Sequence, residues 1–238
     1  MYMKNWFLLL FIVLFGMVSC NNSSDANANK KESEQQVSES GDNNMKSEKQ
    51  VSEAGNKVVE CIMSRRSIRA YKPEQIKAEE LQTILDCGIN APSARNSQPW
   101  EIRVIRDKET IENLNKAVIA DMIQRRPEAK GRYSDENASV FFHAPTLLVV
   151  AYDTTQYWGM SDCGMLVQNI LLAAESMNIG SCAVGCCREY INSDSAADFV
   201  KSLNLPENYE IYLTVTLGYK DEDPAAKTRD DKKIAYMD

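Results

Sequence analysis

A polar stretch from Asn21 to Asn56 constrains the fold most, because it confines any hydrophobic core to the residues that follow it. The stretch is mainly Ser, Asn, Glu, Lys and Gln, and Val37 and Val51 are its only branched aliphatic residues. Such a composition buries too little apolar surface to offset the entropy of ordering the chain. We therefore predict that residues 21–56 form a disordered tether with a reach of about 30–36 Å. Residues 57–238 are then left as the folded domain.

The first 20 residues have the pattern of an export signal. Lys4 precedes an apolar run from Trp6 to Phe15, and small residues lead to Cys20. The end of this segment resembles a bacterial lipoprotein box, which implies that residues 1–20 are a signal peptide and that Cys20 is lipidated. The domain is then expected in the cell envelope, outside the cytoplasm and anchored to a bacterial membrane. An ordinary secretory signal and an uncleaved membrane helix are the alternatives, although the run is shorter than the ~20 residues of a membrane span.

Charge and metal-ligand content exclude several classes of function. The net charge is −7 and no region is rich in Lys or Arg, so the chain lacks the basic surface that binds nucleic acid. His143 is the only histidine, and there are no paired Cys-x-x-Cys motifs, so we expect no metal site. Neither a dinucleotide-binding glycine motif nor a P-loop is present.

Hydrophobic periodicity predicts one mixed α/β domain. Helices are expected over residues 58–63, 81–88, 110–120, 161–178 and 196–203, and strands over residues 101–106, 145–152, 181–185 and 210–219. The helix at 161–178 has apolar residues on several faces, so we expect it to be almost wholly buried.

Three arginines follow the first predicted helix in the run Arg65-Arg66-Ser67-Ile68-Arg69. A guanidinium offers a planar set of donors for phosphate oxygens, and the Ser67 hydroxyl adds a neutral donor. The run therefore indicates a phosphate site. A solvated basic patch that stabilises the end of the helix is the alternative.

A second segment, from Ala91 to Trp100, is rich in turn-forming residues and short amides. Asn96 and Gln98 each carry a donor and an acceptor, so together they are suited to the edge of a heterocycle such as an isoalloxazine. An Asx-type turn next to a core tryptophan explains the same composition.

Together the two segments resemble the signature of the nitroreductase family. Further features follow in the expected order: His143-Ala144-Pro145, the run Gln168–Glu175, the run Asn178–Cys182, and Leu217-Gly218-Tyr219. The resemblance extends over about residues 57–233.

This resemblance implies an α+β fold, a three-layer α/β/α sandwich around a mostly antiparallel sheet. It also implies a homodimer that binds FMN at the interface, with both chains lining each pocket. The residues expected to contact the cofactor are Arg65, Arg66, Ser67 and Arg69; Pro92, Ser93, Ala94, Asn96 and Gln98, reaching in from the partner; Asn137; Val184, Gly185, Cys186 and Cys187 beside flavin N5; and Lys227 and Arg229 closing on the phosphate.

The pair Cys186-Cys187 departs from the family, where Gly or Glu-Gly is more usual. A hydrogen bond to flavin N5 needs only a backbone N–H, so the substitution is compatible with the role. A thiol-redox or metal cluster with Cys182 is the alternative. We expect these cysteines, and also Cys61, Cys87 and Cys163, to pack as small apolar residues.

The resemblance implies an FMN-dependent oxidoreductase that takes hydride from NAD(P)H and passes it to nitroaromatics, quinones or related acceptors by ping-pong transfer. Because the cofactor carries the chemistry, we assign no catalytic side chain. Reductive dehalogenation or flavin destruction on the same scaffold, and a non-catalytic lipid-anchored flavin carrier, are the alternatives. The physiological substrate, and the electron donor outside the cytoplasm, are open.

Overall fold

A four-stranded antiparallel sheet organises residues 56–237, the part of the chain that the computed structural model describes. The strands are β1 (Trp100–Ile105), β2 (Thr146–Asp153), β3 (Ile179–Val184) and β4 (Tyr209–Tyr219). Their order across the sheet is β1-β2-β4-β3, and each neighbouring pair is antiparallel. The four predicted strands are confirmed, with shifts of one or two residues at their ends.

Six α-helices accompany the sheet within residues 56–237. They are α1 (residues 56–64), α2 (Ala78–Ile89), α3 (Lys108–Arg125), α4 (Gly159–Ser176), α5 (Arg188–Ile191) and α6 (Ala197–Ser202). Helix α3 is longer than its periodicity predicted. Its start is fixed by Asp107, whose carboxylate accepts the N–H of Thr110 at 2.8 Å.

Both faces of the sheet are covered, which confirms the three-layer sandwich. In β2, Leu148 and Val150 belong to one buried cluster with residues of α2 and α4. Leu147 and Val149 point the other way, into a second cluster with residues of α3 and α5. This alternation follows from the period of two in a strand, and an apolar run such as β2 is typical of a strand buried on both faces.

Helix α4 is less buried than predicted. Its core face is sealed, with Leu166 and Ile170 at 0% exposure, but Met160 and Met165 remain 39% and 46% exposed. Nothing in residues 56–237 covers this second face. These methionines therefore form an exposed apolar surface on α4.

Residues 67–72 run along the sheet beside β3 and the end of β4. The N–H of Ile68 donates to the carbonyl of Ser181 at 3.0 Å, and the N–H of Lys72 donates to that of Tyr219 at 3.0 Å. Close packing here requires glycine: a Cβ at Gly180 would lie 2.9 Å from Cγ2 of Ile68. The sheet edge therefore fixes the course of the chain just after the arginine run.

The predicted signal peptide, Cys20 and nearly all of the predicted tether lie outside the described residues. Asn56, the last residue assigned to the tether, is already helical. Within residues 56–237, no helix combines the length and apolar character needed to cross a membrane.

Candidate functional site

The arginine run lies where α1 ends, and its members use their side chains differently. The guanidinium of Arg66 donates to the carbonyls of Met63 at 2.7 Å and Arg65 at 2.9 Å, so it caps the end of α1. Arg69 donates to the carbonyl of Ser67 at 3.2 Å. Within residues 56–237, none of the three guanidinium groups has a carboxylate within 4.0 Å. Their charge therefore remains available to an anion.

The run is held against β3, which brings it near the predicted contact residues 184–187 at the end of that strand. Ser67 forms an isolated parallel bridge with Ser181. Burial raises the pKa of the adjacent Cys182 thiol, while Arg69, Ser67 and Arg65 act in the opposite direction. These three residues can lower the pKa of Cys182 only because they lie close to its thiol. Strand β3 then leads directly to Gly185 and Cys186.

Gly185 and Cys186 present unused backbone donors. Across the described residues, neither N–H donates to a backbone carbonyl, and both residues are exposed. A Cβ placed on Gly185 would meet no atom within 4 Å. Because backbone donors without a protein partner face solvent or a ligand, this end of β3 is suited to hydrogen bonding with a bound ring.

The neighbouring Val184 and Cys187 are buried. The Cys187 sulfur lies 3.4 Å from the hydroxyl oxygen of Thr214, and burial raises the pKa of this thiol to about 11. Any contact of Cys187 with a ligand would therefore come from its backbone. The expectation of apolar packing holds for Cys163, Cys182 and Cys187, which are buried. Cys61 is only partly buried, and Cys87 and Cys186 are exposed.

The structure does not pair these thiols or gather them with metal ligands. All six cysteines within residues 56–237 are free. The same part of the chain contains no group of three His, Cys, Asp or Glu residues positioned to hold a metal ion.

The predicted amide-rich loop follows α2 and has an irregular backbone. Arg95, Asn96 and Gln98 have positive φ angles of 57°, 55° and 46°, a conformation that costs energy in residues other than glycine unless the surroundings hold it. The side chains of Asn96 and Gln98 are exposed. Trp100 is 8% exposed and belongs to the core, so its packing fixes the position of the end of the loop.

A buried carboxylate anchors this loop. Asp162, in the first turn of α4, is 3% exposed and accepts the N–H of Ala94 at 3.1 Å. At the other end of the loop, the N–H of Gln98 donates to the hydroxyl of Ser93 at 3.0 Å. Pro92, Ser93 and Ala94 therefore hold their positions through α4 and through bonds within the loop.

Helix α4 separates the two predicted contact segments within one chain. The loop attaches at Asp162, whereas the end of α1 attaches at Glu175, which accepts the Ser64 hydroxyl at 3.2 Å. Thirteen residues of α-helix correspond to about 20 Å. The loop and the arginine run of one chain therefore lie at opposite ends of this helix.

Asn137 lies in a turn, and its carbonyl contacts His143. The Nε2 atom of His143 is 2.8 Å from the carbonyl oxygen of Asn137, and the Arg69 guanidinium lies 5.7 Å from the ring centre of Phe142. Asn137 also lines a cavity of about 870 Å³ together with Tyr71. Asn137 is thus linked to Arg69 through His143 and Phe142, and its contact with FMN stays a prediction.

The second basic pair is not joined to the arginine run. Lys227 and Arg229 are exposed, and the Arg229 guanidinium donates to the carbonyl of Lys227 at 3.0 Å. The same tail reaches the run earlier, where Glu222 accepts the N–H of Arg69. Convergence of Lys227 and Arg229 on a phosphate stays a prediction.

Two residues of the site were missed by the sequence reasoning. Asp162 was visible as an acidic residue in a mainly apolar helix, where a carboxylate that is buried must be hydrogen-bonded. Glu222 gave no such signal, because its contact with Arg69 joins residues far apart in the sequence.

Comparison with known proteins agrees with the fold and with the sequence motifs. Residues 62–219 match the Nitroreductase family. A NADPH-flavin oxidoreductase from Vibrio harveyi is 33% identical over 176 residues, covering 73% of this chain and 70% of the relative. The matched residues include the arginine run and the exposed end of β3. A match of this length defines the class of protein. The chain belongs to the nitroreductase family.

Solved structures agree with this assignment. An FMN-bound nitroreductase from Bacteroides fragilis superposes with a TM-score of 0.70 at 31% identity, covering 76% of this chain and 98% of the other. An FMN-bound nitroreductase from Desulfitobacterium hafniense gives a TM-score of 0.71 at 31% identity, with the same coverage. The predicted nitroreductase-like fold is confirmed.

Proposed function

We propose that this protein is an FMN-dependent oxidoreductase that uses NAD(P)H to reduce nitroaromatics, quinones or related acceptors. One observation carries the proposal: the chain just after the arginine run is bonded to β3, and β3 ends in the unused N–H groups of Gly185 and Cys186. A phosphate site and a ring-edge site are thus joined by one strand. The FMN-bound relatives support the choice of cofactor.

The residues present fit FMN. Arg65 is half-buried, and its guanidinium has no carboxylate partner within residues 56–237. In a chain of net charge −7, an anionic ligand such as a phosphate suits such a group. The open space at Gly185 leaves room for a planar ring close to the backbone.

Binding and orientation are the roles that we assign to the protein. Arg65, Ser67 and Arg69 would hold the phosphate and ribityl part, and the N–H groups of Gly185 and Cys186 would fix the ring edge. When bound, FMN supplies hydride transfer. A guanidinium beside the ring would stabilise negative charge that develops there. No side chain is required as a catalytic acid or base.

Donor and acceptor are proposed to use one pocket in turn, which gives ping-pong kinetics. Purified protein with NADPH and nitrofurazone tests this: parallel lines in double-reciprocal plots are expected. Tightly bound FMN without reduction of nitrofurazone would favour reductive dehalogenation or flavin destruction instead. Bound FMN that no donor reduces in stopped-flow absorbance would favour a flavin carrier.

A homodimer is proposed because one chain does not complete the site. The loop bearing Asn96 is about 20 Å along α4 from the arginine run, so a second copy is needed to supply it. The exposed apolar side chains of α1 and α4, including Ile62 at 49% and Met165 at 46%, offer the surface for that copy.

Attachment to a bacterial envelope through Cys20 is also proposed, supported by the lipoprotein-like end of the signal. Mass spectrometry of the mature N-terminal peptide tests it. The expected peptide begins at Cys20 with acyl chains. A mature chain that retains residues 1–19 would contradict the proposal.

A further inference from the structure

A cavity of about 500 Å³ lies beside Gly185 and Cys186, and arginines dominate its charged lining. Arg125 and Arg126 come from the end of α3, and Arg188 comes from the start of α5. Glu189 is the only acidic residue in the lining. In a chain with net charge −7, this concentration of positive charge is local and specific to the cavity.

The three arginines are not equally available. Arg125 is neutralised, because its guanidinium bonds to Asp121, with Nε to Oδ2 at 2.7 Å, and also to Glu189. Arg126 has only a long contact with Glu189, at 3.9 Å, and its side chain is 61% exposed. The charge of Arg126 is therefore largely available to a bound anion.

Arg188 is held in place without losing its charge. Its Nε donates to the carbonyl of Ile211 at 3.2 Å, and its guanidinium lies 5.9 Å from the ring centre of Tyr152. Across residues 56–237, no carboxylate lies within 4.0 Å of it. A neutral carbonyl and an aromatic ring orient the guanidinium and leave its charge for a ligand.

We propose that this arginine-lined cavity binds the oxyanion of a substrate, so that the enzyme prefers anionic partners over neutral ones of the same shape. The inference rests on the proposed function, since it takes Gly185 and Cys186 as the edge of the flavin site. A carboxylate on the acceptor and a phosphate on the hydride donor share the required chemistry.

Ligand binding to the FMN-loaded full chain tests the proposal without turnover. Benzoate and benzamide have the same ring and differ in charge, and each is titrated while the visible spectrum of the flavin is followed. Benzoate is expected to bind the native protein more tightly. Arg126→Gln should weaken benzoate about five- to tenfold, the range for one partly screened charge-assisted contact, and leave benzamide unchanged.

Two further variants test whether the effect is specific to the arginines of the cavity. Lys201→Gln removes one positive charge from an exposed position on α6, outside the lining of the cavity, and should leave benzoate binding unchanged. Arg188→Gln should weaken benzoate as Arg126→Gln does. Because Arg126 is exposed, its variant is expected to fold even if the Arg188 variant does not.

Steady-state kinetics then separate the two sources of the oxyanion. If the acceptor supplies it, Arg126→Gln lowers kcat/KM for 4-nitrobenzoate but not for 4-nitrobenzamide. If the donor supplies it, Arg126→Gln lowers kcat/KM for NADPH but not for NADH. Equal binding of benzoate and benzamide, with all four kcat/KM values unchanged by Arg126→Gln, overturns the proposal. A chain that binds no FMN overturns the proposed function first.

Discussion

Single residues decide what the site can hold, and the arginine run shows a division of roles. Arg66 caps α1 through two carbonyls, which is the structural alternative that the sequence left open. Arg65 makes no comparable side-chain contact in the described part of the chain and keeps its charge for a ligand. The same short motif therefore serves both the helix end and the proposed phosphate.

Arg65→Ala and Arg229→Ala test the phosphate contacts. Each change removes a proposed charge-assisted hydrogen bond worth about 1.5–3 kcal/mol, so FMN affinity should fall by roughly ten- to a hundredfold. Titration of FMN fluorescence measures it. Lys201→Ala, at an exposed position on α6, serves as the control. Undiminished affinity in both arginine variants would remove the phosphate assignment.

Asp162 is predicted to position the amide-rich loop. Asp162→Ala leaves the N–H of Ala94 without its partner, so the free energy of unfolding should fall by about 1–3 kcal/mol, and FMN affinity should fall with it. Urea denaturation and FMN titration check the two effects. Asp162→Asn keeps an acceptor and should restore most of both. Failure of that rescue would mean that the carboxylate charge, and not its position, matters.

The cysteines are predicted to differ sharply in reactivity. Burial raises the pKa of Cys163 to about 12 and that of Cys187 to about 11, so both remain thiols at pH 8 and react slowly. Exposed Cys87 and Cys186 should be alkylated before either of them. Iodoacetamide labelling followed by peptide mass spectrometry checks the order. Labelling of Cys187 only after reduction would instead indicate a disulfide.

Between elements, the course of residues 67–72 along the sheet sets the geometry of the site. The sequence predicted the four strands and five of the six α-helices in residues 56–237, because each has its own apolar pattern. It missed α5, whose four residues are too few to show a helical period. It also proposed two contact segments from their motifs, and their contacts with FMN stay predictions. It did not predict the Asp162 anchor, the Glu222 contact or the arginine-lined cavity, because each depends on residues that are distant in the chain. The exposed face of α4 was missed because an apolar pattern does not say which surface covers it.

Gly180→Ala tests this packing. The new Cβ would lie 2.9 Å from Cγ2 of Ile68 and 3.1 Å from the carbonyl oxygen of Gly218, so the edge segment must move. We expect the free energy of unfolding to fall by about 1–3 kcal/mol and FMN binding to weaken. Gly131→Ala meets no atom within 4 Å and is the matched control. Equal behaviour of the two variants in urea denaturation would show that the close packing is unimportant.

At the scale of the whole molecule, the proposed site depends on a second copy. Met165→Glu places a charge on the exposed apolar face of α4, and it should convert a dimer to monomers and release FMN together. Sedimentation velocity with flavin absorbance detection measures both quantities. Val104→Glu, at a 38% exposed position on β1, should preserve the dimer and its flavin. A native monomer that retains FMN would contradict the shared site.

The account as a whole depends on one bound flavin per chain. The visible absorption spectrum of the purified full chain measures this most directly. We predict a yellow protein with the two absorption bands of oxidised flavin, which FMN restores after it has been stripped. A colourless protein that stays colourless in excess FMN would contradict the account.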